Sequence, residues 1–132
     1  MNDTLDVSGV WYGSWNAQDR RVRENRFIAH LAEGGGQFAG TTTEPDLGQR
    51  SGILLAFVEG ARAGAEIRFI KQYDGRGRLE HSVLYSGRIN NAGTEIHGTW
   101  RFSAYTGSFT MQRELFRVEE LEVHEAVDEQ VR

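Results

Sequence analysis

Residues 66–88 read Glu66-Ile67-Arg68-Phe69-Ile70-Lys71-Gln72-Tyr73, then Asp74-Gly75-Arg76-Gly77-Arg78, then Leu79-Glu80-His81-Ser82-Val83-Leu84-Tyr85-Ser86-Gly87-Arg88. The first run alternates: Ile67, Phe69, Lys71 and Tyr73 share one face, and Glu66, Arg68, Ile70 and Gln72 the other. The third run alternates too, with Leu79, His81, Val83, Tyr85 and Gly87 on the more apolar face. Period-two patterning is the signature of a half-buried strand. Two such runs around a short glycine-bearing loop predict a β-hairpin.

The same pattern recurs along the chain. It predicts eight strands: 9–16, 24–32, 37–43, 51–59, 65–73, 79–89, 94–103 and 108–116. Most connections are short and carry glycine. The first (17–23) and third (44–50, with Pro45) are longer. The fold class expected is all-β, an eight-stranded antiparallel up-and-down β-barrel, since closure removes the exposed edges of such a sheet. Residues 1–116 form the barrel domain. Residues 117–132 form an acidic C-terminal tail, in which Val123, Val127 and Val131 fit a short helix and a frayed end is the alternative.

Closing the loops fixes a register. Tyr73 opposite Leu79 sets Lys71 opposite His81. Ile89 opposite Thr94 sets Tyr85 opposite Gly98. Ser103 opposite Ser108 sets Trp100 opposite Met111 and Gly98 opposite Arg113. Glu59 opposite Ala65 sets Phe57 opposite Ile67 and Ile53 opposite Lys71. Leu31 then meets Phe38 across the triple glycine. In this register, apolar faces meet apolar faces in every hairpin, which supports the topology.

Composition narrows the function classes. The 132 residues carry 19 acids, 15 bases and no cysteine, for a net charge of −4. Without cysteine there is no disulfide, thiolate-bound metal or thiol nucleophile. Residues 1–113 balance to +1, so the body lacks the basic footprint of nucleic-acid binding. The cluster Arg20, Arg21, Arg23 and Arg26 reads as a solvated loop and strand face. The longest apolar run, Ile53–Val58, is far short of the roughly 20 residues of a spanning helix. The N-terminus has no apolar core of a signal peptide. Neither nucleic acid nor membrane is therefore an expected partner. A reducing, cytoplasmic location is expected.

The opening Gly9-Val10-Trp11-Tyr12-Gly13 resembles the Gly-x-Trp start of the calycin group, the lipocalin- and avidin-like barrels. Phe38-Ala39-Gly40-Thr41 is similar to avidin-type sequences. The likeness spans the strand plan from 9 to 116. It implies a closed end where Trp11 packs beneath Arg113 of the last strand. The tryptophan-rich biotin pocket does not carry over, because strands five and six hold Ile67, Phe69, Lys71, His81 and Tyr85. A separate calycin-like branch is implied, and a fold rather than an activity.

A barrel of this size either fills its interior or leaves room for one small ligand. The end with the longer loops is the wide end, and irregular loops tend to carry function. The ligand-binding residues expected there are Trp15, Thr42, Lys71, Tyr73, His81, Phe102 and Tyr105, with Ile53 also inward. The closed end holds Trp11, Tyr85, Gly98 and Arg113 as structural residues. Lys71 is the one lysine among fourteen arginines. A lysine on an inward face needs a partner. Glu44 is the protein candidate, and a ligand anion is the other. The histidines share no strand face at ligand spacing, so no metal is expected, and no cofactor either.

Three functions compete. The first is a non-catalytic barrel binding a small, partly apolar, anionic molecule at the wide end. The second is a proton-transfer enzyme of isomerase or cyclase type, using Lys71, His81 and Tyr85; no inward carboxylate is placed to support it, so a non-enzyme is favoured. The third is an interaction module. Its outward stripe of Ile28, Leu54, Ile70 and Leu84 predicts a homodimer.

Overall fold

The computed structural model describes residues 5–48, 52–74 and 81–115. The expected start of the sixth strand (79 and 80), His124 and the tail with its short helix (117–132) lie outside the described residues. Eight strands follow in order: β1 (Gly9–Ala17), β2 (Asn25–Gly34), β3 (Gln37–Pro45), β4 (Ile53–Ala63), β5 (Glu66–Tyr73), β6 (Ser82–Ile89), β7 (Glu95–Phe102) and β8 (Tyr105–Gln112). Each pairs antiparallel with its sequence neighbour. β8 pairs with β1, with Trp15 opposite Phe109 and Gly13 opposite Met111, and closes the barrel.

Tight turns set the register. β2 and β3 join through Gly35 and Gly36 alone, at φ of 62° and 82°. Positive φ at both central residues is the type I′ geometry, whose twist matches that of the strands, and glycine adopts it without steric cost. β4 and β5 join through Gly64-Ala65, and β7 and β8 through Ser103-Ala104. These turns are shorter than the loops expected from the glycine clusters, so most registers move.

Four registers move by an even number of residues and keep their faces. Lys71 lies opposite Val83, not His81; His81 instead follows Tyr73, whose N–H donates to its carbonyl at 3.2 Å. Tyr85 lies opposite Trp100 rather than Gly98. Gly98 lies opposite Phe109 rather than Arg113, and Trp100 opposite Gly107 rather than Met111. Leu31 lies opposite Gly40 rather than Phe38. So Tyr85, Gly98 and Arg113 do not form one row. The space at Gly98 is taken by Phe109, whose ring would lie 2.8 Å from an added Cβ.

The β4–β5 hairpin moves by an odd number, and that inverts β4. Gly60 reads as a turn residue, yet it sits inside the strand. A Cβ there would lie 2.6 Å from the Phe38 ring and 2.5 Å from Phe69 Cβ, so the glycine exists to let two aromatic residues approach. The turn therefore falls at Gly64, and every β4 side chain changes face. Ala56 and Val58 are buried. Ile53 and Phe57, expected inward, point outward at 73% and 50% exposure. Leu54, expected in the outer stripe, is half-buried and packs on the core.

The closed half of the barrel is solid. Phe69 stacks on Tyr85 with centroids 4.6 Å apart and planes 8° from parallel. Phe109 meets both rings edge-on, at 5.8 Å and 4.9 Å. Such aromatic pairs add about 0.5–1.5 kcal/mol each beyond their buried area. Residues 5–8 run across the closed end. Trp11 Nε1 donates to the Val7 carbonyl at 2.8 Å. The Arg113 guanidinium lies 4.2 Å above the Trp11 ring and donates to the carbonyls of Gly93 (2.9 Å), Ser8 (2.8 Å) and Asp6 (2.6 Å). One side chain thus ties β8, the β6–β7 loop and the N-terminal segment together.

Candidate functional site

At the other end the described residues bound a cavity of about 340 Å³, which Val22, Asp46, Leu47, Gly48 and His81 reach from outside the strands. Its wall is aromatic: Trp15 from β1, Tyr73 from β5, His81 before β6, Tyr85 from β6, Trp100 and Phe102 from β7, and Tyr105 from β8. Val22, Leu47 and Leu54 add aliphatic surface, and Glu44, Asn25 and Asp46 add polar groups. The His81 ring lies 4.2 Å from Phe102 and 5.0 Å from Tyr73, centroid to centroid. Trp15 and Trp100 meet edge to face at 5.8 Å. Trp100 reaches this position because Gly107 offers no side chain beneath it, and its Nε1 donates to the Asn16 carbonyl at 3.0 Å.

The floor is a buried ion pair. Period two on β3 brings Thr42 and Glu44 inward, and period two on β5 brings Lys71 and Tyr73 inward. Lys71 Nζ donates to Glu44 Oε1, with the two residues 1% and 3% exposed. Tyr73 donates to the same oxygen at 2.8 Å. Asn25 Nδ2 donates to Oε2 at 2.9 Å and to the Pro45 carbonyl at 2.9 Å, and Trp15 Nε1 reaches Oε2 at 3.3 Å. Four donors thus converge on one carboxylate, which has about four acceptor sites. The ammonium also faces the rings of Tyr73 (4.9 Å), Phe27 (5.0 Å) and Tyr85 (5.8 Å). A buried charge is tolerated on such terms of pairing and full hydrogen bonding.

Burial shapes the titration of this cluster. Desolvation holds the Lys71 ammonium below the ordinary lysine range, and the Glu44 charge opposes that shift. Burial first, and the Glu44 charge second, push both the Tyr73 and Tyr85 phenols far up, so both stay protonated. Burial, then Lys71, lower His81. The mouth therefore presents a neutral imidazole over a compensated ion pair.

The cavity gathers Trp15, Tyr73, His81, Phe102 and Tyr105 of the residues expected to bind a ligand. Thr42 and Lys71 lie deeper. They line a separate void of about 10 Å³, together with Phe27, Phe69 and Tyr85. Thr42 Oγ1 is buried there without a hydrogen bond. Tyr85 lines both spaces. Among the described residues its hydroxyl makes no hydrogen bond, so it is a polar handle still available at the floor. Sequence reasoning passed over Asn25, although Asn25, Phe27, Ala29 and Leu31 alternate along β2, so a polar residue at an inward position was the available signal. Trp100, set opposite Met111 by the register read from sequence, lies at the mouth because the β7–β8 turn is only the two residues Ser103-Ala104.

The architecture is consistent with a calycin-like fold. Comparison with known proteins finds no family model and no curated protein that matches the chain.

Proposed function

We propose that the protein is a non-catalytic carrier of one small, largely apolar, ring-bearing molecule held in the mouth cavity. The observation that supports this most is the contrast between the two ends: one is plugged by Trp11 and Arg113, and at the other the described residues enclose a cavity of about 340 Å³ lined by aromatic side chains. That volume lies within the range of small-molecule sites, and few but placed polar groups in an apolar wall are their usual make-up. His81, between Tyr73 and Phe102, offers a stacking surface. Tyr85 and the His81 ring offer hydrogen bonds.

The reading favours a neutral ligand over an anionic one. The single interior lysine is bound to Glu44, and His81 is uncharged at neutral pH. Among the described residues that line the cavity, an anion would meet a buried carboxylate at the floor and no unpaired cation. The same pairing argues against Lys71 as a general base, since its ammonium is committed to Glu44 beneath the cavity.

A matched pair of fluorescent probes tests this. N-phenyl-1-naphthylamine is neutral, and 8-anilinonaphthalene-1-sulfonate carries the same rings with a sulfonate. The neutral probe is expected to saturate with a dissociation constant between about 1 mM and 1 μM, set by the modest yield per atom of ligands this size. The sulfonate is expected to bind at least about tenfold more weakly, a difference of about 1.4 kcal/mol. Preference for the sulfonate would restore the anion-binding reading. Saturation by neither would end the ligand-binding one.

A further inference from the structure

We infer that two copies of this chain associate through the outer face of β4, in a two-fold dimer centred on Leu55. The inversion of β4 places Ile53, Leu55 and Phe57 in a row on the outside of the barrel, all exposed. Ile28, Ile70 and Leu84 continue the apolar surface on either side. Thr43 joins Ile28 to Leu55, Ile70 lies diagonally from Phe57, and Leu84 is directly opposite Ile70.

The outward residues beside Leu55 and Phe57 are Thr43, Thr41, Gln72 and, one step past the β5 register, the acidic Asp74, whose N–H donates to the Leu55 carbonyl at 2.8 Å. The outward face of β4 carries one charge, Glu59. The six apolar residues are 37% to 73% exposed; with the lower part of the roughly 150–250 Å² range of an aromatic side chain taken for each, they present on the order of 500 Å². Non-polar atoms make up about 56–65% of a protein interface. A patch of this size therefore fits the core of a standard interface, which buries about 800 Å² on each partner.

Other occupants fit less well. The barrel is closed, so a partner has no open edge to which it could add a strand. An anionic membrane surface selects clusters of lysine and arginine around an apolar face. Here the β4 row itself is bordered by threonine, glutamine, aspartate and glutamate, and arginine stands only at the margins, as Arg26 beside Ile28, Arg68 beside Ile70 and Arg101 opposite Leu84. A second copy needs no complementary charge. In a two-fold arrangement a residue i meets j while j meets i. An axis at Leu55 sets Phe57 of each copy against Ile53 of the other and Leu55 against itself. Face-to-face packing of two twisted sheets at about 30° accommodates this row.

Sedimentation equilibrium of the full chain at micromolar concentrations tests the inference. Wild type is expected at twice the chain mass of 14.9 kDa. Phe57→Glu and, separately, Ile53→Glu are expected to sediment at one chain mass. Both side chains point to solvent, so thermal melting by circular dichroism at concentrations where wild type is also dissociated should be unchanged and should report intact folding. A monomeric wild type, or a dimer that survives both substitutions in folded protein, overturns the proposal. So does binding of monomer to phosphatidylserine-containing vesicles that Phe57→Glu abolishes, since the face would then serve a membrane.

Discussion

Lys71 Nζ donates to Glu44 Oε1 inside the barrel, directly beneath the mouth cavity, from strands β5 and β3 that are not neighbours in the sheet. The contact passes over the inner face of β4, which lies between the two strands. It therefore braces the barrel at the depth where solid packing gives way to open space. It also settles what satisfies the interior lysine: a carboxylate of the chain itself, held by three further donors.

Breaking that brace from one side is expected to be costly. Lys71→Met leaves the Glu44 carboxyl buried without its cation, and Glu44→Leu leaves Lys71 buried without its anion. Each is expected to lower stability by about 3–5 kcal/mol, whereas the double variant recovers much of the loss, because an apolar pair of similar volume carries no desolvation penalty. Urea unfolding of the three variants gives the coupling energy. Additive single effects would contradict a direct pair.

The alkaline limb follows from the buried phenols. A tyrosine whose folded pKa is raised keeps its proton in the barrel after the unfolded chain has lost its own at 10.0. Stability from Tyr85 is thus present below pH 10 and falls above it, by about 1.4 kcal/mol per pH unit. Lys71 works in the other direction, and its contribution levels off above 10.5, its unfolded value. Tyr85→Phe is therefore expected to flatten the decline above pH 10 by about one proton, read from urea midpoints over that range.

The acid limb follows from His81. Its folded pKa lies below 6.5, so above 6.5 the imidazole is neutral in both states and contributes nothing. As pH falls below 6.5 the unfolded chain takes the proton first, and stability declines until the folded value is passed. The gap between wild type and His81→Gln is expected to be constant above pH 6.5 and to change below it. Binding of N-phenyl-1-naphthylamine should weaken in the same acid range, because a bound ring desolvates the imidazole further.

The two ends of the barrel are expected to fail separately. Arg113→Leu removes three hydrogen bonds to carbonyls and the cation–π contact with Trp11. A loss of about 3 kcal/mol is expected from groups of this kind. Affinity for the neutral probe, measured where the variant is still folded, should stay within about twofold. A large change in affinity would mean that the closed end communicates with the mouth.

Much of this was legible in the sequence, and the exceptions share a cause. Strand number and antiparallel order follow from period two. The faces of β5 and β6 follow as well, because even register shifts preserve them. The face of β4 was not legible. Gly60 has the composition of a turn and the job of a packing gap, and only Phe38 and Phe69 above it tell the two apart. That one misplaced turn exchanged Leu54 for Leu55 and Phe57 on the outer surface. At the site, parity identified Lys71 and Tyr73 as inward and Glu44 as a candidate partner for the lysine. Depth was not legible. A shift of two residues along β6 separates Lys71 from His81 and leaves the lysine under the cavity rather than in it.

The three tryptophans test the central claim most directly. Trp15 and Trp100 line the mouth cavity, and Trp11 is buried at the closed end. Their indole N–H resonances, assigned by single Trp→Phe variants, can be followed by NMR as N-phenyl-1-naphthylamine is added. Saturable shifts of Trp15 and Trp100, with Trp11 unmoved, are the predicted result. No saturable shift at the mouth, or an equal response from Trp11, would contradict a ligand site there.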